Sequence, residues 1–340
     1  MDPHDPTWTR ASVCDAIINL PLLRDLQLIF PPKTGNLAAA KGLHFDHLCR
    51  LQRISISGAC EDYQSLIIDG IAETIAKSPL LTHLEVDYPH WLYGPPLQDF
   101  FSKLPPDMHL RLSYVAAGHT QFCLDKRMLP HFRALQSLEL LNISQEDAPR
   151  QITGKRELTE IYMTLAREHI FLSRIVIDVV FPALLDYLDS YSGVLVDLRI
   201  LHLEKVIPWE TLDALAERFY DSTLPKHIDS LEILNISPEF ACRWCFDPQD
   251  CAVLSRSRRL SSLRVTFAPT KFWNIYPDPD EYEYGFDHAV RDLALGHSTE
   301  QHDHPGVFHD ATYIVPSMSH RDSHRHSQAP GVAVVLLLQF

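Results

Sequence analysis

The stretches "LQSLELLNIS" (135–144) and "DSLEILNIS" (229–237) nearly repeat one another from distant parts of the chain. Both carry the pattern apolar-x-x-apolar-x-apolar. A periodic pattern of this kind constrains a fold more than composition does, because one unit cannot bury its apolar residues without a neighbour. The pattern recurs at Leu23/Leu26/Leu28, Leu51/Ile54/Ile56, Leu81/Leu84/Val86, Leu135/Leu138/Leu140, Leu172/Ile175/Ile177, Leu198/Leu201/Leu203, Leu231/Leu234/Ile236 and Leu260/Leu263/Val265. A degenerate copy sits at Asp107/Leu110/Leu112. The copies lie about 30 residues apart, a period that belongs to repeat architectures.

Each copy reads as a short strand whose alternate side chains point inward. The segments between copies read as helices with one buried stripe. Ile68, Ile71, Ala72, Ile75 and Ala76 form one such stripe, and Leu97, Phe100, Phe101 and Leu104 a second. Leu158, Ile161, Tyr162 and Leu165 form a third, and Trp209, Leu212, Leu215, Ala216 and Phe219 a fourth. Prolines at 31–32, 89, 182, 208, 238 and 269 follow strand candidates, where a residue unable to extend a sheet ladder belongs. A strand followed by a crossover helix predicts parallel strands and right-handed coiling. A doubly wound α/β domain also alternates strands and helices, but neither GxGxxG nor GxxxxGK[ST] occurs.

The formal net charge of −14 opposes wholesale binding to phosphate backbones, so no nucleic-acid partner is expected. No apolar run reaches bilayer-spanning length, and the N-terminus lacks the pattern of a signal peptide. No membrane partner is expected either. Seven scattered cysteines suit a reducing compartment, cytoplasmic or nuclear.

The segments "LPLLRDLQLIFPP", "LTHLEVDYP" and "LRILHLEKV", within residues 12–270, resemble the irregular leucine-rich-repeat region of fungal F-box proteins. The resemblance implies an α/β solenoid, an open arc of about nine strand–helix repeats with a parallel sheet on its concave face. It also implies a non-catalytic scaffold that presents a substrate-binding surface, as in the adaptor of an F-box-type ubiquitin ligase. No F-box-like helical module is recognisable ahead of Leu23, where "SVCDAIINLP" reads as the helix of a preceding unit. A cullin adaptor is therefore not an expected partner, whereas a protein target is. The expected organisation is a repeat array over 1–270, a capping segment over 271–296 and a flexible histidine-rich tail over 297–340.

The outward strand positions are the candidate surface. Their central column is expected to hold Gln27, Ser55, Glu85, Arg111, Glu139, Val176, His202, Asn235 and Arg264. Glu85, Arg111, Glu139, Arg174, His202 and Arg264 are the residues expected to touch a partner. Their mixed charges suit a protein surface rather than a polyanion. No catalytic residue and no cofactor or metal site is assigned. The alternative is a metal-binding protein or hydrolase built on Cys242, Cys245 and Cys251 of "CRWCFDPQDC" or on the tail histidines 297, 302, 304, 309, 320, 324 and 326. Zinc prefers four ligands and no second CxxC is present, so an apolar cluster around Trp244 and Phe246 is the favoured reading there. The acidic stretch "YPDPDEYEYGFD" (276–287) does not match a calcium-binding loop and reads as a cap or a docking loop. The terminal "VAVVLLLQF" is too short to cross a bilayer, which leaves packing on the end of the array or a gene-model artefact.

Overall fold

A computed structural model describes residues 22–29, 48–58, 64–88, 94–141, 151–203, 208–238, 242–246, 250–267, 312–314 and 334–339, with Ala16 and Leu20. The chain divides into two compact units, Met1–Leu172 and Ser173–Phe340. Both are α/β.

The first unit holds β1 (Asp25–Ile29), β2 (Arg53–Ser57), β3 (His83–Asp87), β4 (Tyr114–Gly118) and β5 (Ser137–Leu141). Each strand is parallel to its predecessor in the sequence. Parallel neighbours need a crossover. The described crossover elements are a helix at Gln64–Ala76, a 3-10 turn at Leu97–Phe101 and one helical turn at Leu129–Phe132. A longer helix, Gln151–Arg167, follows β5.

The second unit holds β6 (Arg174–Ile177), β7 (Asp197–Leu203), β8 (Ile233–Pro238) and β9 (Ser262–Phe267), again parallel and in sequence order. Helix Pro182–Asp189 joins β6 to β7, with proline at its first position, where no N–H is needed. Helix Trp209–Arg218 runs through a π turn, Phe219–Thr223, into Leu224–His227. The π turn lies just ahead of Pro225, which cannot donate the next helical hydrogen bond. Two further strands follow, β10 (Thr312–Ile314) and β11 (Val334–Gln339). Strand β11 pairs antiparallel with β9, and β10 antiparallel with β11. The terminal apolar stretch thus lies against the last parallel strand, one of its two expected readings. Strand order never reverses among the parallel strands of either unit, so neither contains the switch point of a doubly wound sheet.

The repetition is written most clearly in the backbone. The residue just before each strand offers a carbonyl that accepts two N–H groups from the next strand's entrance. In the first unit these carbonyls belong to Arg24, Gln52, Thr82 and Ser113; in the second, to Ser173, Val196 and Glu232. The donor–acceptor distances run from 2.7 to 3.1 Å. One residue earlier stands an inward leucine. Leu51, Leu81, Leu112, Leu135 and Leu172 hold this position in the first unit, and Leu195, Leu231 and Leu260 in the second, none more than 4% exposed.

This register moves two repeats. The fourth is Leu112/Val115/Ala117 rather than Asp107/Leu110/Leu112, because Val115 pairs with Leu84 and Leu138. The seventh is Leu195/Leu198/Ile200 rather than Leu198/Leu201/Leu203, because Leu198 pairs with Ile175 and Leu234. Ala117 is a weak apolar signal. Leu198 fits the pattern in two frames, so sequence spacing alone chose the wrong one. The four expected helical stripes lie in described elements with these exceptions: Leu97–Phe101 is a 3-10 turn that ends before Leu104, and Phe219 opens the π turn.

Strand alternation sets a test of stability. Leu138 and Leu234 are at most 1% exposed, while Glu139 and Asn235 beside them are half-buried on the opposite face. Leu138→Ala and Leu234→Ala are each expected to cost about 2–5 kcal/mol. Glu139→Ala and Asn235→Ala are expected to cost less than about 1 kcal/mol. Urea denaturation of the four variants measures this, and equal losses at adjacent positions would contradict the alternation.

Candidate functional site

In the first unit the outward row nearest the strand entrances reads Asp25, Arg53, His83, Tyr114 and Ser137 in register. The central row reads Gln27, Ser55, Glu85, Ala116 and Glu139. Ala116 therefore occupies the position expected for Arg111. Arg111 is exposed but lies ahead of β4, outside the sheet. The His83 and Tyr114 rings stack at 5.6 Å. Thr82 Oγ1 lies 2.8 Å from His83 Nδ1, and the Tyr114 hydroxyl donates to Glu139 Oε2 at 3.3 Å. Burial lowers the His83 pKa and the Arg53 charge lowers it further, against the pull of Asp25. At the strand exits, Asp87 Oδ1 lies 3.8 Å from His119 Nδ1. Gly118 makes room for Asp87, since a Cβ there would collide with the carboxylate. The charged side chains of this face are Asp25, Glu85, Asp87 and Glu139 against Arg53, an acidic excess.

The second unit differs. Its entrance row is Arg174, Asp197, Ile233 and Ser262, and its central row Val176, Arg199, Asn235 and Arg264. Arg199 thus stands where His202 was expected. His202 lies farther along β7, beyond the point used by the central row, and its side chain is outside the described residues. Asp197 is the hub of the face. Arg199 donates to both its oxygens, from Nε at 2.9 Å and Nη2 at 3.0 Å, and Arg174 Nε lies 3.2 Å from Oδ2. The Asp197 side chain is 10% exposed, while those of Arg174 and Arg199 are 34% and 35% exposed. Arg264 is exposed, and Asn235 Oδ1 accepts the Ser237 hydroxyl at 2.8 Å. Arg174 and Arg264, both expected on the surface, are therefore gathered on one face. Glu85 and Glu139 belong to the other unit's face. Sequence reasoning missed Arg199 and Asp197. The i, i+2 spacing of "DLR" at 197–199 was their signal once β7 had its true frame.

On the helical side of the second unit, Asp189 gathers two cations. Arg218 reaches Asp189 at 2.6 Å and Asp186 at 2.8 Å, and Lys226 reaches Asp189 at 2.8 Å. Burial works to raise the Asp189 pKa, but hydrogen bonds from Lys226 and Arg218 outweigh it and hold the value below normal.

The "CRWC" segment is a packed plug. Trp244 and Phe246 are buried, and the Trp244 indole donates to the Leu212 carbonyl at 3.0 Å. The Tyr220 hydroxyl donates to the Trp244 carbonyl at 3.1 Å. Arg243 pairs with buried Asp250 at 3.1 Å, and its guanidinium lies 5.3 Å from the centre of the Tyr220 ring. A hydrogen bond with Cys245, then burial, push the Cys242 thiol far up, so it is protonated. A thiolate is what metal binding or nucleophilic attack would need. Among the described residues no group of three or more His, Cys, Asp or Glu could hold a metal ion. The Cys251 side chain, the acidic stretch 276–287 and the seven tail histidines lie outside the described residues. Among the described residues, no helix is long and apolar enough to cross a membrane.

Two outcomes follow from this geometry. Removing the carboxylate in Asp197→Ala leaves two guanidinium groups crowded together, and is expected to cost about 1–3 kcal/mol in urea denaturation, as losing a charged hydrogen-bond partner does. The second concerns pH. Burial is the largest cause lowering the pKa of His83, His131 and His227. A histidine with a depressed folded pKa binds fewer protons folded than unfolded. Its contribution is intact above about pH 6.5 and is lost as pH falls through the folded value. His227 is 1% exposed, with Nε2 3.0 Å from the Leu188 carbonyl. Unfolding free energy measured at pH 7.5 and 5 is expected to fall more in the wild type than in His227→Gln.

No protein-family model matches the sequence and no curated protein matches it, so the two sheet faces carry the functional argument.

Proposed function

We propose that this chain is a non-catalytic protein-interaction scaffold of the leucine-rich-repeat kind, with its sheet faces as the working surfaces. The observation that carries this reading is the division of labour along each strand. Inward positions hold a column of leucines and their apolar partners, while outward positions hold aligned rows that are mostly polar, interrupted by Ala116, Val176 and Ile233. Flat rows of long polar side chains on a stiff backbone suit a partner's surface, and concave repeat surfaces are used this way. The resemblance to fungal F-box proteins supports the same role, because in that family the repeats receive the substrate. The free thiols of Cys49, Cys123, Cys242 and Cys245 are consistent with a cytoplasmic or nuclear setting.

Affinity capture by the full chain, followed by mass spectrometry, tests the proposal. The informative comparison is between faces. Glu139→Lys on the sheet is expected to reduce recovery of the specific partner by about tenfold, the effect of losing or reversing one interfacial charge. Glu160→Lys is expected to leave recovery unchanged, since Glu160 is exposed on helix Gln151–Arg167, where it pairs with its helical neighbour Arg156. Retained capture with Glu139→Lys and lost capture with Glu160→Lys would move the working surface to the helices.

A further inference from the structure

We propose that β1 is an association edge: two copies of this chain pair their β1 strands antiparallel about a two-fold axis at Gln27, joining two sheets into one. The inference goes beyond the scaffold reading and concerns the edge of the first unit rather than its face. The first observation is exposed apolar surface. The two inward residues of each strand from β2 to β5, such as Leu84 and Val86, are at most 2% exposed. Leu26 and Leu28 occupy the same positions on β1 and are only half-buried. Ile29 is 67% exposed, and Leu22, just ahead of the strand, is 81% exposed. Apolar side chains gathered at one place in this way mark a contact surface.

The second observation is an open ladder. Among the described residues, β1 pairs with β2 alone and stands at the end of the strand order. The Arg24 carbonyl faces β2, where it accepts the N–H groups of Gln52 and Arg53. Backbone groups alternate sides along a strand. Those of Leu26 and Leu28 therefore also face β2, while those of Asp25, Gln27 and Ile29 turn to the open edge. Such an edge is a template for another strand. In the second unit, by contrast, the last parallel strand, β9, has β11 laid along it.

The third observation selects a second copy as the occupant. The strand reads "DLQLI", with a leucine on either side of Gln27. An antiparallel pair centred there sets Gln27 against Gln27, and Asp25 of one copy against Ile29 of the other, as hydrogen-bonded pairs. All three outward-turned backbone positions of each copy are then used. Leu26 meets Leu28 in the intervening pairs, where side chains approach most closely, and both lie on the inward face. Within the strand no charge is set opposite a like charge. A two-fold contact has to be self-complementary, and this sequence is. The shared edge is one short strand, so the dimer is expected to form on the order of tens of micromolar rather than nanomolar.

The test uses the full chain in sedimentation velocity at about 5 and about 200 µM. The wild type is expected to move from monomer toward dimer across this range and to go no further, because a two-fold contact closes on itself. Gln27→Lys brings two ammonium groups face to face, and Ile29→Asp sets a carboxylate against Asp25 twice in each dimer. Each is expected to weaken association by about tenfold or more. Ile29→Lys sets an ammonium against Asp25 instead. It is expected to keep association within about threefold of the wild type, with a new sensitivity to salt. Gln27 and Ile29 are exposed, so the urea midpoint is expected to stay unchanged in all three variants. Met163→Asp, at another exposed apolar side chain on helix Gln151–Arg167, is expected to leave association unchanged. A monomer at both concentrations, with the edge covered from within the chain or kept for another protein, would overturn the proposal. So would growth beyond the dimer, equal effects of Ile29→Asp and Ile29→Lys, or a loss of association confined to Met163→Asp.

Discussion

A single backbone carbonyl at the entrance of each strand, accepting two N–H groups from the next, is what the rest of the structure hangs on. It fixes the register between neighbours before any side chain is considered. Once the carbonyls of Gln52, Thr82 and Ser113 are stacked, the leucine one residue earlier must meet the leucine of the next repeat. The alternation along the strand then follows. The two N–H groups at each entrance are satisfied by the stacked carbonyl, and the N–H groups of Leu51, Leu81 and Leu112 find Ser78 Oγ and the carbonyls of Ser78 and His131, so these leucines are buried without an unpaired donor. Hydroxyls reinforce the same carbonyls where the sequence supplies them. Thr82, Ser113 and Ser261 donate to the carbonyls of Gln52, Thr82 and Glu232 at 3.0 to 3.3 Å.

That constraint also explains why the outward faces differ. Nothing in the stack specifies what points outward, provided it fits between neighbours. Ser55, Ala116 and Val176 are buried at 7%, 6% and 2% exposure although they point to the outer face. They are small or compact residues in rows of longer ones. Glu139 gains a tyrosine hydroxyl, and Asp197 gains two arginines. The first arrangement is a modest polar contact. The second concentrates charge, and the buried carboxylate is affordable only because both its oxygens are occupied.

Much of the architecture was legible in the sequence because leucine and isoleucine at fixed spacing are strong signals. Leu81, Leu84 and Val86 announce β3, and Leu231, Leu234 and Ile236 announce β8, with the inward residues correctly chosen. The fourth repeat was obscured because its second inward strand residue is Ala117, which small size makes ambiguous, and because Leu110 and Leu112 offered a false start. The seventh was obscured by an excess of leucine rather than a lack of it. These two slips carried directly into the surface, placing Arg111 and His202 where Ala116 and Arg199 belong. The carbonyl stack itself was invisible. Arg24, Gln52, Thr82 and Ser113 share no side-chain chemistry, since the contribution comes from the main chain. The "CRWC" plug was read correctly as apolar, but its dependence on Arg243, Asp250 and the Tyr220 ring comes from contacts between residues separated in sequence.

The separation between what holds the fold and what faces outward has a further consequence. A substitution at an inward leucine is felt by the repeats on both sides, because each packs against two neighbours in the stack. A substitution at Arg264 is felt by neither, because its side chain leaves the sheet into solvent. The face of the second unit is not uniform in this respect. Arg199 and Arg174 are tied through Asp197, and Asn235 is tied to Ser237, whereas Arg264 is exposed. This face therefore has a pinned half on β6 and β7, set by a buried carboxylate, and a half on β8 and β9 whose outward side chains are not tied to it.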